Sequence, residues 1–290
     1  MVTNDGDPCP EEVGMSISIN SNSSSLFAQK SLLSTENATQ KTLSHLSSGK
    51  KINNAADNAA NLAIAVQMAA QLGSSNQDVS NAGDALDIAN TADAALNNTT
   101  DILSRLDELA MESGDGALNA SDRGDIQNEA DALTAQLNSI AGGTELNGTP
   151  LLNGNANLTF QVGTGNVPGN DRLTLNTGDA SAAALGVSGL DLSTPSSAAS
   201  ALDSIDSAIH AASSLRSTLG AQANRAASAA SQAQQTSLSL TAAHSSIMDA
   251  DIASEASDLS SEMILGQAGA AVLAQANQNQ ANALRLLSGG

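Results

Sequence analysis

Aromatic side chains are almost missing from this sequence: Phe27 and Phe160 are its only two, and it has neither tryptophan nor tyrosine. Enzyme pockets are usually lined by aromatic and large apolar groups around a few convergent polar ones, and there is little material here for such a lining. Cysteine is limited to Cys9, which excludes an intrachain disulfide framework and fits no zinc spacing. Basic residues are scarce, ten Lys and Arg against thirty Asp and Glu, for a formal net charge of −20. That leaves no cationic stripe to neutralise phosphates, so a nucleic-acid partner is excluded, and anionic membrane surfaces are disfavoured on the same ground. Such acidity with few lysines suits a protein kept hydrated in strong salt. No apolar run approaches the roughly 18 residues that a membrane-spanning helix needs, so no membrane insertion is expected. His45, His210 and His244 stand far apart, without an i, i+4 histidine partner and without an HExxH, so no metal or catalytic role is expected of them, and no cofactor is implied.

What the chain does contain is alanine, serine, asparagine, leucine and glutamine. A core made of these is a core of alanine and leucine between helices, favouring long, thin packing. Residues 1–14, MVTNDGDPCPEEVG, are polar and lack both the basic start and the apolar middle of a secretory signal; they read as a disordered extension or a misplaced start. From Met15 a helical pattern develops, carrying Leu26, Leu33, Leu43 and Leu46 before Gly49 interrupts it. The segment GKKINNAADN (49–58) reads as an irregular connector.

The most regular periodicity follows. Ala82, Ala85, Ala89, Ala92, Leu96, Thr99, Leu103, Leu106 and Ala110 recur at alternating spacings of three and four, the seam of a left-handed coiled coil. A helix of about fifty residues is some 75 Å long, so it needs a partner of equal length. The helix is expected to stop at SGDG (113–116) and a shorter one to run from about Asp122 to Ile140 with Ser121 as its cap. Between about 142 and 195, the pairs Gly142-Gly143 and Asn147-Gly148 and the alternating stretches LTFQV (158–162) and RLTLN (172–176) predict short hairpins. Helical periodicity returns at Ser196, with a seam through Leu202, Ile205, Ile209 and Ala212 that slips near Arg216. After a junction near HSSIMDAD (244–251), a last seam runs through Ile252, Leu259, Met263, Leu273, Leu284 and Leu287. The fold class is therefore mainly α: long antiparallel coiled-coil helices from both chain ends, with a small β-hairpin region in the middle.

These residues resemble the bacterial flagellins. LSSGKKINNAADNAANLAIA (46–65) is similar to that family's N-terminal signature and AVLAQANQNQANALRLL (271–287) to its C-terminal one. DILSRLDELAMES (101–113), IQNE (126–129), ELNGTPLLNG (145–154) and DADIASEASDL (249–259) fall between them in the family's order, so the resemblance covers residues 15–290. It implies an inner core domain pairing 15–48 with 246–290 across the connector 49–58, and an outer core domain over 59–245. It implies a non-enzymatic subunit that polymerises with itself into the flagellar filament for motility. The alternative is a hook–filament junction protein sharing the same terminal coiled coils; the match at the connector and at AVLAQANQ favours the filament subunit.

The family's assembly seams then fall on Leu26, Leu33, Leu43, Leu46, Leu259, Met263, Leu273, Leu284 and Leu287, and the outer-core seam on Leu96, Leu103 and Leu106. The resemblance also implies an extracellular location reached by the flagellar type III route, and as partners an export chaperone, a cap protein and hook-junction proteins. Residues matching those that face the vertebrate flagellin-sensing Toll-like receptor are Arg105, Leu109 and Glu129, although Ser104 and Asp107 depart from the glutamine and arginine of strongly recognised members.

Overall fold

The computed structural model describes residues 21–154 and 157–288, without the side chains of residues 283, 284 and 286–288; the extension expected at 1–14 lies outside the described residues. The chain divides into two compact units, residues 21–64 with 245–288, and residues 65–244.

The first unit is a pair of antiparallel helices. Helix α1 (Ser23–Ser48) starts where the side chain of Asn22 accepts the Ser25 N–H, and stops at Gly49, whose φ of 68° places it in the left-handed region. Glycine adopts that conformation without the steric cost a Cβ imposes, which lets the Gly49 N–H bond the His45 carbonyl at 2.8 Å and close the helix end. The turn that follows is tied to the return chain: Lys51 N–H donates to Met248 O at 2.8 Å and Ala250 N–H to Gly49 O at 2.9 Å. Ile52 and Met248 are buried beside these bonds. Helix α2 (Ala55–Ser113) opens with a single turn that breaks at Asn58, whose Oδ1 then accepts the Asn61 N–H and restarts the helix.

The second unit contains the remainder of α2, then α3 (Ala120–Gly143), β1 (Glu145–Leu146), β2 (Thr149–Pro150), β3 (Asn157–Gln161), β4 (Arg172–Asn176) and most of α4 (Pro195–Met248). α2 ends at Ser113, before the two glycines that flank Asp115. The N-cap of α3 is Asn119 rather than the expected Ser121. Asn119 can form a reciprocal box with Asp122, its side chain accepting the Asp122 N–H while the Asp122 carboxylate accepts its own N–H; Ser121, two residues further on, cannot close that ring.

Asn147 and Gly148 have φ of 50° and 75°, the two-residue turn that joins β1 to β2 with the right twist. Gly142 and Gly143, expected to turn, instead finish α3. β3 and β4 pair antiparallel with Leu158 opposite Leu175 and Phe160 opposite Leu173. The strict alternation of β4 turns Leu173 and Leu175 into the core. Residues 177–194 form no strand: they are an irregular segment that packs Ala180, Ala182, Val187 and Leu192 fully inside. Bonds such as Ala180 N–H to Leu152 O, 2.9 Å, satisfy its backbone.

Along α4, Ala198, Ala201, Ile205, Ala208, Ala212, Leu219, Ala226 and Ala233 are buried and Leu215 is half-buried. The spacing of three and four continues past Arg216 without the expected slip: Arg216 lies beside the seam, and its Nε donates to Asp93 Oδ1 at 2.9 Å. Ser237 bonds Asn76 further along, so α2 and α4 run antiparallel. Leu96, Leu103, Leu106, Leu109, Leu137 and Ile205 form the centre of one continuous core. Each leucine buried contributes about 2 kcal/mol and each alanine a fraction of that, so the buried leucines carry most of this unit's stability.

Candidate assembly surface

The helix pair of the first unit meets along a seam of small and polar residues. On α1 the side turned to α5 (Ile252–Ser288) runs through Ser25, Ala28, Leu32, Thr35, Thr39, Thr42 and Leu46, alternating three and four. On α5 it runs through Glu255, Leu259, Glu262, Gly266, Gly269, Leu273, Ala276 and Gln280 in the same alternation. Leu32 packs against Gly269, where a Cβ would stand 3.6 Å from its Cδ1, an ordinary contact, so alanine would fit there as well.

Hydrogen bonds set the register of the pair. Asn22 Nδ2 donates to Ala276 O at 3.1 Å, Ser25 Oγ to Asn277 Oδ1 at 2.9 Å, and Thr42 Oγ1 to Glu262 Oε1 at 3.2 Å. At the end nearest the turn, buried His45 places Nδ1 2.9 Å from Glu255 Oε1 and Nε2 4.0 Å from Asp57 Oδ1. The Asn53 N–H holds the Asp57 carboxyl below the usual carboxylate range, with Lys41 Nζ 3.2 Å away adding to the effect. Asp251 caps α5 by accepting the Ala253 and Ser254 N–H groups. A partly buried polar ladder of this kind fixes register and contributes little net attraction.

The expected seam residues divide accordingly. Leu46, Leu259 and Leu273 sit half-buried in the α1–α5 seam, whereas Leu26, Leu33, Leu43 and Met263 lie outside it and are 62%, 60%, 49% and 55% exposed. The side chains of Leu284 and Leu287 lie outside the described residues. On α1 the inward positions next to Leu26, Leu33 and Leu43 are Ser25, Leu32 and Thr42, one residue earlier, whereas Leu46 itself faces α5. Ser25, Thr42, Glu255 and Glu262 carry no hydrophobic signal, and the spacing of three and four, continued through polar residues, is what places them in the seam; His45 lies beside that series, and no spacing in the sequence marks it. Phe27, Ile252, Ile264, Leu265 and Val272 are exposed as well. The unit thus keeps Ala28, Leu32, Leu46, Leu259, Leu273 and Ala276 in its seam beside polar groups, while a larger set of big apolar side chains faces outward, which a stable monomeric coiled coil does not do.

In the second unit Leu96, Leu103 and Leu106 are fully buried. Of the three residues that match receptor-facing positions, Leu109 is 1% exposed and belongs to the core. Arg105 and Glu129 are exposed and bonded to each other at 2.8 Å, with Glu108 also 2.8 Å from the guanidinium. Glu108 and then Glu129 raise the arginine further above its ordinary value. Solvent screens a pair this open, so Arg105→Ala is expected to leave the thermal unfolding midpoint within about 2 °C of the unmodified chain. A calorimetric scan checks it.

Long helices from both chain ends, one unit with a core of its own and another with an exposed apolar face, define a structural subunit of an assembly. The comparisons agree. Residues 19–157 match the bacterial flagellin N-terminal helical region and residues 202–287 the bacterial flagellin C-terminal helical region. The chain is 35% identical over 286 residues to the flagellar filament 33 kDa core protein of Treponema phagedenis, 33% over 286 to flagellin FlaB2 of Treponema pallidum (strain Nichols), and 36% over 301 to the flagellin of Bacillus subtilis (strain 168). Each comparison spans 93% of this chain and 99% of the relative. The chain belongs to the bacterial flagellin family. It is a structural subunit of the flagellar filament, which forms by self-polymerisation, and it is not an enzyme.

Proposed function

We propose that the outward apolar faces of α1 and α5 are the surfaces through which neighbouring copies hold one another in the filament, and that the helix pair reaches its full stability only there. The observation that carries this is the outward face of the helix pair: Leu26, Phe27, Leu33, Met263, Leu265 and Val272 are exposed around a seam of mixed small, polar and leucine residues. An open groove of about 530 Å³ between the helices, lined by Phe27, Ala28, Thr35, Leu265, Gly269 and Val272, suits the apolar side chain of another copy. Burying one such side chain stabilises by about 2 kcal/mol, and many in series outweigh the cost of ordering two narrow helices.

Weak pairing in isolation also fits export of the chain through the flagellar type III route to an extracellular filament. An export chaperone would bind α5 before assembly, a cap protein would aid folding at the growing tip, and hook-junction proteins would form the base on which the first subunits sit. Those partners follow from family membership and from a helix that needs its apolar face covered.

The test is seeded growth of purified protein in high salt, followed by negative-stain electron microscopy, with the double substitution Phe27→Ser and Leu265→Ser for comparison. The unmodified chain is expected to form filaments. The double variant is expected to keep the circular dichroism of the folded monomer and to raise the concentration needed for growth at least tenfold, since each serine removes roughly 2 kcal/mol of burial at the interface. Growth at the unmodified concentration by the variant rejects these faces as the contact.

A further inference from the structure

In the second unit, a cavity of about 260 Å³ lies among α2, the loop that follows β3, and α4. Its wall is rich in oxygen and contains no lysine, arginine or histidine: Ser75 and Asp78 come from α2, Thr164 and Asp171 from the loop, Gln232 and Thr236 from α4. Asp78 is 6% exposed and Ser75 2%, and the Asp78 carboxylate has no hydrogen-bonding or cationic partner among the described residues. A buried carboxylate left alone costs several kcal/mol. The second carboxylate, on Asp171, makes this worse: burial first, and then Asp171, push the Asp78 carboxyl above its ordinary value.

Asp171 is held where it is by the loop itself. Its Oδ2 accepts the Val167 N–H at 2.8 Å. Gly163 and Gly165 leave it room, since a Cβ on Gly163 would stand 2.5 Å from Oδ1. Two carboxylates and a set of hydroxyl and amide oxygens, with no positive side chain among them, are short by two charges.

We propose that this cavity binds one divalent cation of the calcium class, with Asp78 and Asp171 as its charged ligands and Ser75, Thr164 and Gln232 among its neutral ones. Such an ion takes six to eight oxygen ligands in irregular geometry and accepts waters among them, whereas magnesium demands a near-octahedral set. Bound there, it neutralises both carboxylates and fastens the β3–β4 loop to the two long helices.

Titration calorimetry on the full chain with calcium chloride in high sodium chloride, repeated with magnesium chloride, tests the assignment. One equivalent of calcium is expected to bind, magnesium at least about tenfold more weakly, and the unfolding midpoint to rise by about 5 °C at a hundredfold excess over Kd. Asp78→Asn keeps the shape and removes a buried charge, so the variant folds; it is expected to weaken calcium binding at least about tenfold, as is Asp171→Asn. Calcium binding that survives Asp78→Asn belongs to the diffuse acidic surface and overturns the proposal. So does an unmodified chain that takes up no calcium while Asp78→Asn melts higher, because the two carboxylates then share a proton in place of an ion.

Discussion

A chain ending at Asp251 is expected to form no filaments at any concentration or salt at which the full-length protein grows on seeds. The truncation removes α5 and with it Leu259, Leu273 and Ala276 of the seam, the carboxylates that meet His45 and Thr42, and the exposed Ile264, Leu265 and Val272. Helix α1 then has no partner of its own length. With Ser, Thr and Asn through its 26 residues, it lies near the limit at which an isolated helix persists in water. The unit of residues 65–244 keeps its core, because no member of its buried cluster comes from α5.

Circular dichroism of the truncated protein should therefore show a folded but less helical monomer with a cooperative melt, and electron micrographs should show no polymer. The pairing of these results matters. Loss of filaments together with loss of the melt would mean that α5 is needed for folding at large. Filaments of normal length from the truncated chain would show that the terminal pair is dispensable, and the contact surfaces proposed for α1 and α5 would have to be abandoned.

Much of the second unit was legible in the sequence because its two signals do not compete. Ala82 to Ala110 repeat at three and four, and every member of that repeat is buried. The residues are apolar or small, so periodicity and hydrophobicity point to the same stripe. The β3–β4 hairpin was readable for the same reason, since LTFQV and RLTLN alternate cleanly and the alternation is what buries Leu173 and Leu175. The segment 177–194 was not readable. It is buried without being regular, and its alanines and glycines produce neither period; its place is decided by Leu152 and by the helices around it.

In the first unit the signals conflict. Leucines lie on both sides of α1, Leu32 and Leu46 inside and Leu26, Leu33 and Leu43 outside, and the inside also holds serine and threonine, so hydrophobicity alone does not separate the two faces. An apolar stripe turned away from the intrachain partner is free for contact with another surface. The Asp78 cavity was invisible at that level. Asp78 and Asp171 are 93 residues apart in number, and only the hairpin's turn brings the second toward the first.

Replacing Arg123 with leucine is expected to destabilise the second unit by about 3 kcal/mol. Arg123 is 8% exposed, and its guanidinium serves three backbone carbonyls at the α2–α3 turn: Nε donates to Ser113 O at 2.9 Å, Nη1 to Leu118 O at 2.8 Å and Nη2 to Asp115 O at 2.6 Å. Ser113 O belongs to the last turn of α2, where carbonyls lack helical partners and carry the negative end of the dipole. A planar fork with donors in fixed directions can serve three acceptors around a tight turn; leucine serves none.

Each buried carbonyl left alone costs about 1–3 kcal/mol. Water can replace the bonds to Asp115 and Leu118, which lie toward the surface, but not the buried one to Ser113, so the sum falls near 3 rather than near 9. Arg123→Lys retains the charge and a single direction of donation, and is expected to recover less than half of the loss. Urea denaturation followed by helical circular dichroism separates these cases: the midpoint should fall in the order arginine, lysine, leucine with little change in slope. A leucine variant within about 0.5 kcal/mol of the unmodified chain would mean that solvent closes this turn as well as the guanidinium does, and that the end of α2 is fixed instead by the core that holds Leu109 and Leu192.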